Sequence, residues 1–214
     1  MMDITWYGQS CFRLRDRSIS VVTDPYGKVS GLKLPRLTAD IVTVSHGHQD
    51  HSNVAAVRGQ PFVIDSPGEY EVGGLFVTGI GMWHDAQSGA ERGKNTIFIY
   101  HFDDATVCHL GDLGHVPTQA QVEEMGDVDV LLVPVGGKFT IDARQAVEVI
   151  SLIEPSVVIP MHYALPGMET PLEGVDAFLK EMGVREPERL DSYSVTGKRL
   201  PEETQVMVLE SHSS

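Results

Sequence analysis

The fold of this chain is decided by the stretch Ser45-His46-Gly47-His48-Gln49-Asp50-His51-Ser52, which directly follows the apolar run Ile41-Val42-Thr43-Val44. A continuous apolar run is typical of a strand that is covered on both faces. In an extended turn after such a strand, the side chains at positions 46, 48 and 50 point to the same side. Imidazoles with a carboxylate suit zinc, iron, nickel or manganese, whereas calcium prefers all-oxygen sites. The stretch therefore predicts a transition-metal site, and a solvated polar loop is disfavoured because protonated imidazoles would repel one another.

Around this stretch, short apolar runs alternate with turns and amphipathic segments, which predicts an α/β protein. Strands are predicted over residues 4–7, 11–14, 18–23, 41–44, 61–65, 75–83, 95–101, 105–110, 128–133, 156–161 and 204–209. Helices are predicted after the N-caps Thr118 and Asp142, over residues 173–182, and from His51 onward. This order predicts two sheets flanked by helices, a four-layer α/β/β/α sandwich, in a single domain over residues 1–214.

Length, charge and cysteine content limit the class of protein. None of the apolar runs in these 214 residues approaches the roughly 20 residues of a membrane span. No basic and then apolar segment precedes the first strand, so we expect no signal peptide and a cytoplasmic protein. The formal net charge of −14 repels phosphate backbones and disfavours nucleic acid as a partner. Cys11 and Cys108 lie in apolar runs and are expected to be buried, reduced thiols.

The motif His46-x-His48-x-Asp50-His51 resembles the signature loop of the metallo-β-lactamase superfamily. Further segments resemble other elements of that fold in the same order along the chain, namely Val22-Thr23-Asp24-Pro25, Trp83-His84-Asp85, His109-Leu110-Gly111-Asp112 and Pro160-Met161-His162-Tyr163. The chain most resembles a compact branch of predicted zinc-dependent hydrolases that includes ascorbate-6-phosphate lactonase-like proteins. The resemblance extends over nearly the whole chain and implies a metallo-β-lactamase-like sandwich.

The resemblance also implies two divalent transition-metal ions as cofactors, with zinc as the default by availability and iron, nickel or manganese as alternatives. The implied ligands are His46, His48 and His84 for one ion and Asp50, His51 and His162 for the other, with Asp112 and a water or hydroxide bridging them. A shared anion agrees with simple electrostatics, because two cations about 3.5–4 Å apart repel each other.

Four residues are candidates for a catalytic role, and a fifth is a candidate for supporting them. Asp50 and Asp112 enter as metal-binding carboxylates, and the Tyr163 hydroxyl is a candidate donor to a developing oxyanion. His109 is the rival of His84 as a metal ligand, and otherwise a group beside the site or a proton shuttle. Asp24 is expected to accept hydrogen bonds from the loop that carries residues 46–51.

Three cationic side chains are candidates for substrate binding. Arg92 and Lys94 lie in the polar, glycine-rich segment 85–95, which is a candidate lid over the site. Lys138 follows a pair of glycines and is a candidate for the same rim. In an acidic chain, such positive charges suit a phosphate or a carboxylate.

We therefore expect a metal-dependent hydrolase with a dinuclear site and a bridging hydroxide, acting on a small, anionic ester, lactone or phosphoester. One alternative is a nuclease of the same superfamily, although the acidic charge and the absence of a basic arm disfavour it. The other is a protein that binds metal or senses a ligand without turnover. A small-molecule substrate is the expected partner, no membrane partner is expected, and self-association into a homo-oligomer stays open.

Overall fold

The computed structural model describes residues 1–27, 31–196 and 199–213, in which two large β-sheets pack face to face. The strands are β1 (Met2–Trp6), β2 (Phe12–Arg15), β3 (Ser20–Thr23), β4 (Leu37–Thr38), β5 (Ile41–Thr43), β6 (Val57–Arg58), β7 (Phe62–Ile64), β8 (Gly68–Val72), β9 (Leu75–Trp83), β10 (Lys94–His101), β11 (Thr106–His109), β12 (Val130–Pro134), β13 (Val157–Met161), β14 (Glu188–Leu190), β15 (Tyr193–Val195) and β16 (Gln205–Leu209). The helices are α1 (Gln119–Met125), α2 (Ala143–Ile153) and α3 (Val175–Glu181).

The first sheet has the order β15-β1-β2-β3-β5-β7. Strands β1, β2 and β3 form the predicted antiparallel meander, and β3, β5 and β7 then run parallel. The second sheet has the order β14-β16-β13-β12-β11-β10-β9-β8. Strands β8 to β11 are antiparallel neighbours, whereas β11, β12, β13 and β16 run parallel. Parallel neighbours need crossover connections, which α1 and α2 supply.

The main core lies between the two sheets and draws large side chains from both. Trp6 and Phe12 of the first sheet and Phe98 and Tyr100 of the second are fully buried in one cluster. The Tyr100 hydroxyl and the Thr43 hydroxyl form a hydrogen bond of 2.6 Å across this core. The buried face of each sheet therefore fixes the position of one sheet relative to the other, and with it the strand ends that carry the site.

Helices α1 and α2 begin and end where the sequence predicts, and α3 (Val175–Glu181) lies within the predicted range 173–182. Thr118 and Asp142 each complete a capping box, in which the side chain accepts the backbone N–H of the third helical residue and that residue's glutamine bonds back. Helix α2 ends at Glu154, which adopts the left-handed conformation directly before Pro155. Both cysteines are buried and free, as predicted.

The helix predicted from His51 onward is wrong. The backbone N–H of His51 bonds to the His48 carbonyl in a turn, and Asn53 bonds to the Pro25 carbonyl, so the chain is held against the end of β3. A single 3-10 turn, Val54–Ala56, follows. In the described ranges, the outer side of the first sheet is covered by the β4–β6 ladder and a small apolar cluster around Val22 and Val42, without an α-helix.

No helix in the described part of the chain is both long enough and apolar enough to cross a membrane.

Replacement of Asp142 by alanine removes the cap of α2 and leaves the first-turn N–H groups without their partner. We expect the free energy of unfolding of metal-free protein to fall by about 1 kcal/mol in a denaturant titration. The matched control Glu148→Ala, at an exposed position of the same helix, should change it by less than about 0.5 kcal/mol. Equal losses in the two variants would contradict the assigned role of the capping box.

Candidate metal centre

The candidate site lies where five strands end at one edge of the two packed sheets. Asp24 follows β3, the residues 45–51 follow β5, His84 follows β9, Asp112 follows β11 within three residues, and His162 follows β13. Ligands commonly bind beyond the carboxyl ends of strands in α/β proteins, because the chain turns there and its side chains converge. Asp24 and His162 both have a positive φ, 38° and 51°, which is uncommon for residues other than glycine.

One carboxylate oxygen lies at the centre of the site. Asp112 Oδ2 lies close to the Nε2 atoms of four imidazoles, at 3.3 Å from His51, 3.4 Å from His162, 3.5 Å from His84 and 3.9 Å from His46. The Asp112 backbone N–H donates to Asn95 Oδ1 at 2.9 Å, and Ser10 Oγ lies 3.4 Å from the other carboxylate oxygen. Asp112 is thus buried, and both its backbone N–H and its side chain are hydrogen-bonded.

The charges in the site favour an ionised carboxylate among mostly neutral rings. Burial alone would raise the pKa of Asp112, but the His162 and His51 rings hold it well below its usual range. Burial lowers the pKa of His46 to about 3 and also lowers the pKa of His84 and of His162. Burial opposes the charged form of His51 as well, yet Asp112 and Asp24 raise its pKa well above the usual range.

Among the described residues, three groups of side chains have their ligand atoms within 4.8 Å of one another. The first is His46, His48 and His84, and the second is Asp50, His51 and His162. These are the two sets that the resemblance implies, with Asp112 between them. Asp24, His46 and His51 form a third such group, but here Asp24 accepts a hydrogen bond from His51 Nδ1 at 3.0 Å.

The residues present fit a transition metal. Among the described residues, none forms a hydrogen bond of good geometry with the buried Nε2 of His46 or of His51, or with the buried Nδ1 of His84 or of His162. Burying such atoms costs free energy unless a partner is supplied. Imidazole nitrogens with carboxylate oxygens are the donors that zinc and its neighbours in the first transition row accept.

Hydrogen bonds from neighbouring side chains orient the candidate ligands. Asp24 accepts from His51 Nδ1 and from both the N–H and the hydroxyl of Ser45, at 2.7 and 2.6 Å. Ser45 Oγ lies 2.9 Å from His46 Nδ1. Partners of this kind fix the ring orientation of a metal-binding histidine and leave Nε2 for the metal. The expected supporting role of Asp24 is confirmed in these contacts.

His109 lies beside the site without reaching it. Its fully buried ring donates from Nε2 to the Ser10 carbonyl at 2.8 Å, and Nδ1 accepts the Gly111 N–H at 3.2 Å. Both nitrogens are therefore occupied by backbone groups of loops that carry Ser10 and Asp112. This geometry favours His84 over His109 as the ligand, and it gives the ring no free nitrogen for a proton shuttle.

A cavity of about 390 Å³ opens over the cluster. Of the three cationic side chains predicted to bind substrate, only Arg92 is in its described lining. That lining consists of His48, Asp50, His84, Arg92, Asp112, Phe139, His162 and Thr170. Lys94 and Lys138 are exposed and are not in that lining. Lys138 Nζ instead lies 5.9 Å from the Phe139 ring centroid. Phe139 and Thr170 were missed, because neither belongs to a motif with ligand spacing.

The predicted placement of Tyr163 at the site is also not found. Its ring packs on Trp6 with centroids 5.0 Å apart, and it is 4 % exposed. Burial raises the pKa of the hydroxyl, whose nearest charges are Arg189 and Glu210 rather than the residues of the cluster. The Tyr163 side chain thus packs in the core and is not in the described lining of the cavity.

The segment expected to be a lid is held in place by one carboxylate. Asp85, which is 4 % exposed, accepts backbone N–H groups from Gln87, Gly89, Glu91 and Arg92 at 2.7–3.0 Å. Burial opposes the charge, but these four donors lower the pKa of Asp85 to about 2. The loop over residues 85–93, here called the Asp85 loop, is thus held together by these hydrogen bonds, and it contributes Arg92 to the described lining of the cavity.

Comparison with known proteins agrees with this geometry. Residues 3–162 match the model of the beta-lactamase superfamily domain family. A structure from Thermotoga maritima, assigned to the zinc-dependent hydrolases of the metallo-beta-lactamase superfamily, is 42 % identical with a TM-score of 0.82 and covers 99 % of this chain and 100 % of its own. A UPF0173 metal-dependent hydrolase of Methanopyrus kandleri is 28 % identical over 86 % of this chain and 94 % of its own length. Another, from Methanospirillum hungatei, is 30 % identical over 76 % and 83 %.

The fold and the histidine–aspartate cluster define a metal-dependent hydrolase of the metallo-β-lactamase superfamily. The chain belongs to the beta-lactamase superfamily domain family. The predicted metallo-β-lactamase-like α/β fold and the predicted class of enzyme are confirmed.

Metal binding should weaken as the pH falls. Each imidazole must be neutral to bind a metal, and His51 holds its proton most strongly because Asp112 and Asp24 raise its pKa. Metal retained after dialysis, measured by elemental analysis, should decline as the pH falls below about 6.5, the ordinary pKa of histidine, with His51 the first ring to compete for a proton. His46, His84 and His162 have lowered pKa values and resist protonation longer. Constant metal content from about pH 8 to about pH 4.5 would show that these rings are not the ligands.

The two rival histidines are distinguished by metal content. His84→Ala removes a ring that faces Asp112 Oδ2, so it should empty the site shared with His46 and His48. His109→Ala removes hydrogen bonds to backbone groups and packing on Phe12, and no contact to the candidate ligands, so it should keep most of the metal and lower activity by roughly 10–100-fold. Thermal unfolding of both variants checks that they fold. The opposite pattern, with metal lost only from His109→Ala, would exchange the two roles.

Proposed function

We propose that this enzyme is a dinuclear hydrolase that uses a bridging water or hydroxide to cleave a small, anionic ester, lactone or phosphoester. The observation that supports the proposal is the position of Asp112 Oδ2 among four Nε2 atoms from both candidate ligand groups. A carboxylate in that place can offset the repulsion between two cations. His46, His48 and His84 would hold one ion, and Asp50, His51 and His162 the other, with zinc as the default.

Two divalent ions, when bound, would polarise a carbonyl or phosphoryl oxygen and make a water acidic enough to attack at neutral pH. The chain's own residues prepare the site for that chemistry. Asp24 and Ser45 orient the His51 and His46 rings. Ser10 and Asn95 hydrogen-bond to Asp112 and fix its position. The His109 ring hydrogen-bonds to the Ser10 carbonyl and to the Gly111 N–H, so it links the segments that carry Ser10 and Asp112.

Arg92 supports an anionic substrate, since it is the cationic side chain in the described lining of the cavity. A guanidinium recognises carboxylates and phosphates through paired N–H donors. A nuclease is less well supported, because the formal net charge is −14 and a nucleic-acid backbone binds to basic surfaces. A protein without turnover is disfavoured by its metal-dependent hydrolase relatives.

The proposal further treats residues 1–214 as one domain acting in the cytoplasm. The core cluster draws side chains from both sheets, from Met2 to Leu209, which supports a single unit. The free, buried Cys11 and Cys108 agree with a reducing compartment. Self-association stays open, and a size measurement in solution decides it.

Elemental analysis and an activity screen together test the proposal. Purified protein supplied with zinc or manganese should hold about two ions per chain and hydrolyse at least one of a panel of chromogenic esters, lactones and phosphodiesters, with precursor tRNA testing the nuclease. Asp112→Asn keeps the shape and removes the charge, so activity should fall about 10²-fold or more and at least one ion should be lost.

Asp103→Asn, at an exposed position, is the matched control and should leave metal content and activity unchanged. An Asp112→Asn variant that retains both ions and full activity would contradict the proposal. So would wild-type protein that holds less than half an ion per chain after incubation with metal.

A further inference from the structure

The Arg92 guanidinium lies on the wall of the cavity against an aromatic ring. Its Cζ is 5.4 Å from the centroid of Phe139, and both residues line the cavity with the metal-site residues. The Arg92 side chain is 32 % exposed, and its ion pair with Glu91, at 3.5 Å, involves a carboxylate that is 61 % exposed. Exposed pairs of this kind contribute little free energy, so Glu91 does not prevent an incoming anion from using the guanidinium.

The position of Arg92 is set by Asp85, which lies next to the candidate ligand His84. One carboxylate oxygen of Asp85 accepts the Arg92 N–H at 2.7 Å and the Glu91 N–H at 3.0 Å. The other accepts from Gln87 and Gly89. A single buried side chain therefore determines the path of the whole Asp85 loop.

The Asp85 loop is also anchored to the strand that carries His84. The His84 N–H bonds to the Gly93 carbonyl at 3.0 Å, and Gly89 packs so closely on Trp83 that a Cβ there would lie 2.6 Å from the indole ring. A Cβ on Gly114 would likewise clash with the backbone nitrogen of Asp85, so Gly114 packs directly against the start of the Asp85 loop. The backbone at Arg92 is thus held at a fixed position relative to the candidate ligand His84, which places the guanidinium near the metal centre.

We infer that Arg92 and Phe139 form a binding subsite for an organic anion, with the carboxylate or phosphoryl group on the guanidinium and an aromatic or apolar body on the ring. Asp85 is the positioning residue of this subsite. The inference rests on the proposed function and narrows its substrate class. A cavity of about 390 Å³ suits such a molecule, because small-molecule sites have volumes of roughly 300–1,000 Å³.

The test measures binding of phenylphosphonate and methylphosphonate to the zinc-loaded protein by calorimetry. Arg92→Gln should weaken both anions about tenfold or more, because hydrogen bonds to a charged group are lost. Phe139→Leu should weaken phenylphosphonate several-fold and methylphosphonate hardly at all, because only the former has a ring to place on Phe139. Arg58→Ala, an exposed arginine of β6, is the matched control and should bind both anions like the wild type.

Asp85→Asn tests the positioning role, because asparagine keeps one acceptor oxygen and turns an NH2 donor toward the other two loop N–H groups. Binding of both phosphonates should weaken to a level between wild type and Arg92→Gln while the zinc content is unchanged. Loss of zinc from Asp85→Asn would overturn that role, since Asp85 would then act on His84. Wild-type affinity in Arg92→Gln, or equal weakening by Arg58→Ala, would overturn the subsite.

Hydrolysis assays separate this inference from the proposed function. If zinc-loaded wild type hydrolyses none of the esters, lactones and phosphodiesters but binds phenylphosphonate through Arg92, the subsite stands and the hydrolase proposal fails. If it hydrolyses a substrate while Arg92→Gln binds phenylphosphonate normally, the hydrolase stands and the subsite is wrong.

Discussion

The attraction between one buried carboxylate and the imidazoles around it is the interaction on which the rest of the site depends. Asp112 carries its charge where burial alone would suppress it, and neighbouring His162 and His51 make that charge favourable. The arrangement demands that strand ends from both sheets meet, because His46 and His51 follow β5 of the first sheet while His84, Asp112 and His162 follow strands of the second. The core between the sheets is what holds those ends in register.

Around that centre, the chain uses ordinary backbone groups and short side chains to fix each ring. Asp24 does this for His51, Ser45 for His46, and Asn95 for the Asp112 loop. His109 has a similar role, because its two ring nitrogens hydrogen-bond to backbone groups of two different loops and stabilise both. Residues of this type shape reactivity without touching substrate, because metal ligands depend on the groups that orient them.

Much of the fold follows from the sequence, because the physical signals are local. The capping residues Thr118 and Asp142, the buried run at Ile41–Thr43 and the strand Leu75–Trp83 are all specified by nearby residues. Strand β8, Gly-Glu-Tyr-Glu-Val, was missed because it is polar and lies at a sheet edge, where its partner β9 rather than its own pattern defines it. The helix predicted after His51 does not form, because the hydrogen bond from Asn53 to the Pro25 carbonyl at the end of β3 outweighs the local preference for helix.

The site shows the same division between local and long-range information. The spacing of residues 46–51 predicts a cluster because those side chains are close in sequence. The choice between His84 and His109, the orientation of Tyr163, and the presence of Phe139 and Thr170 in the cavity depend on packing between distant segments. Lys94 and Arg92 are two residues apart and chemically similar, yet only Arg92 faces the cavity, because the Asp85 loop turns between them.

The proposed dinuclear site requires that two metal ions share Asp112. Anomalous diffraction from a zinc-loaded crystal, collected at the zinc absorption edge, tests it most directly. We expect two anomalous peaks about 3.5–4 Å apart, with an Asp112 oxygen at about 2.0–2.2 Å from each. A single peak, or two peaks with Asp112 bound to neither, would contradict it.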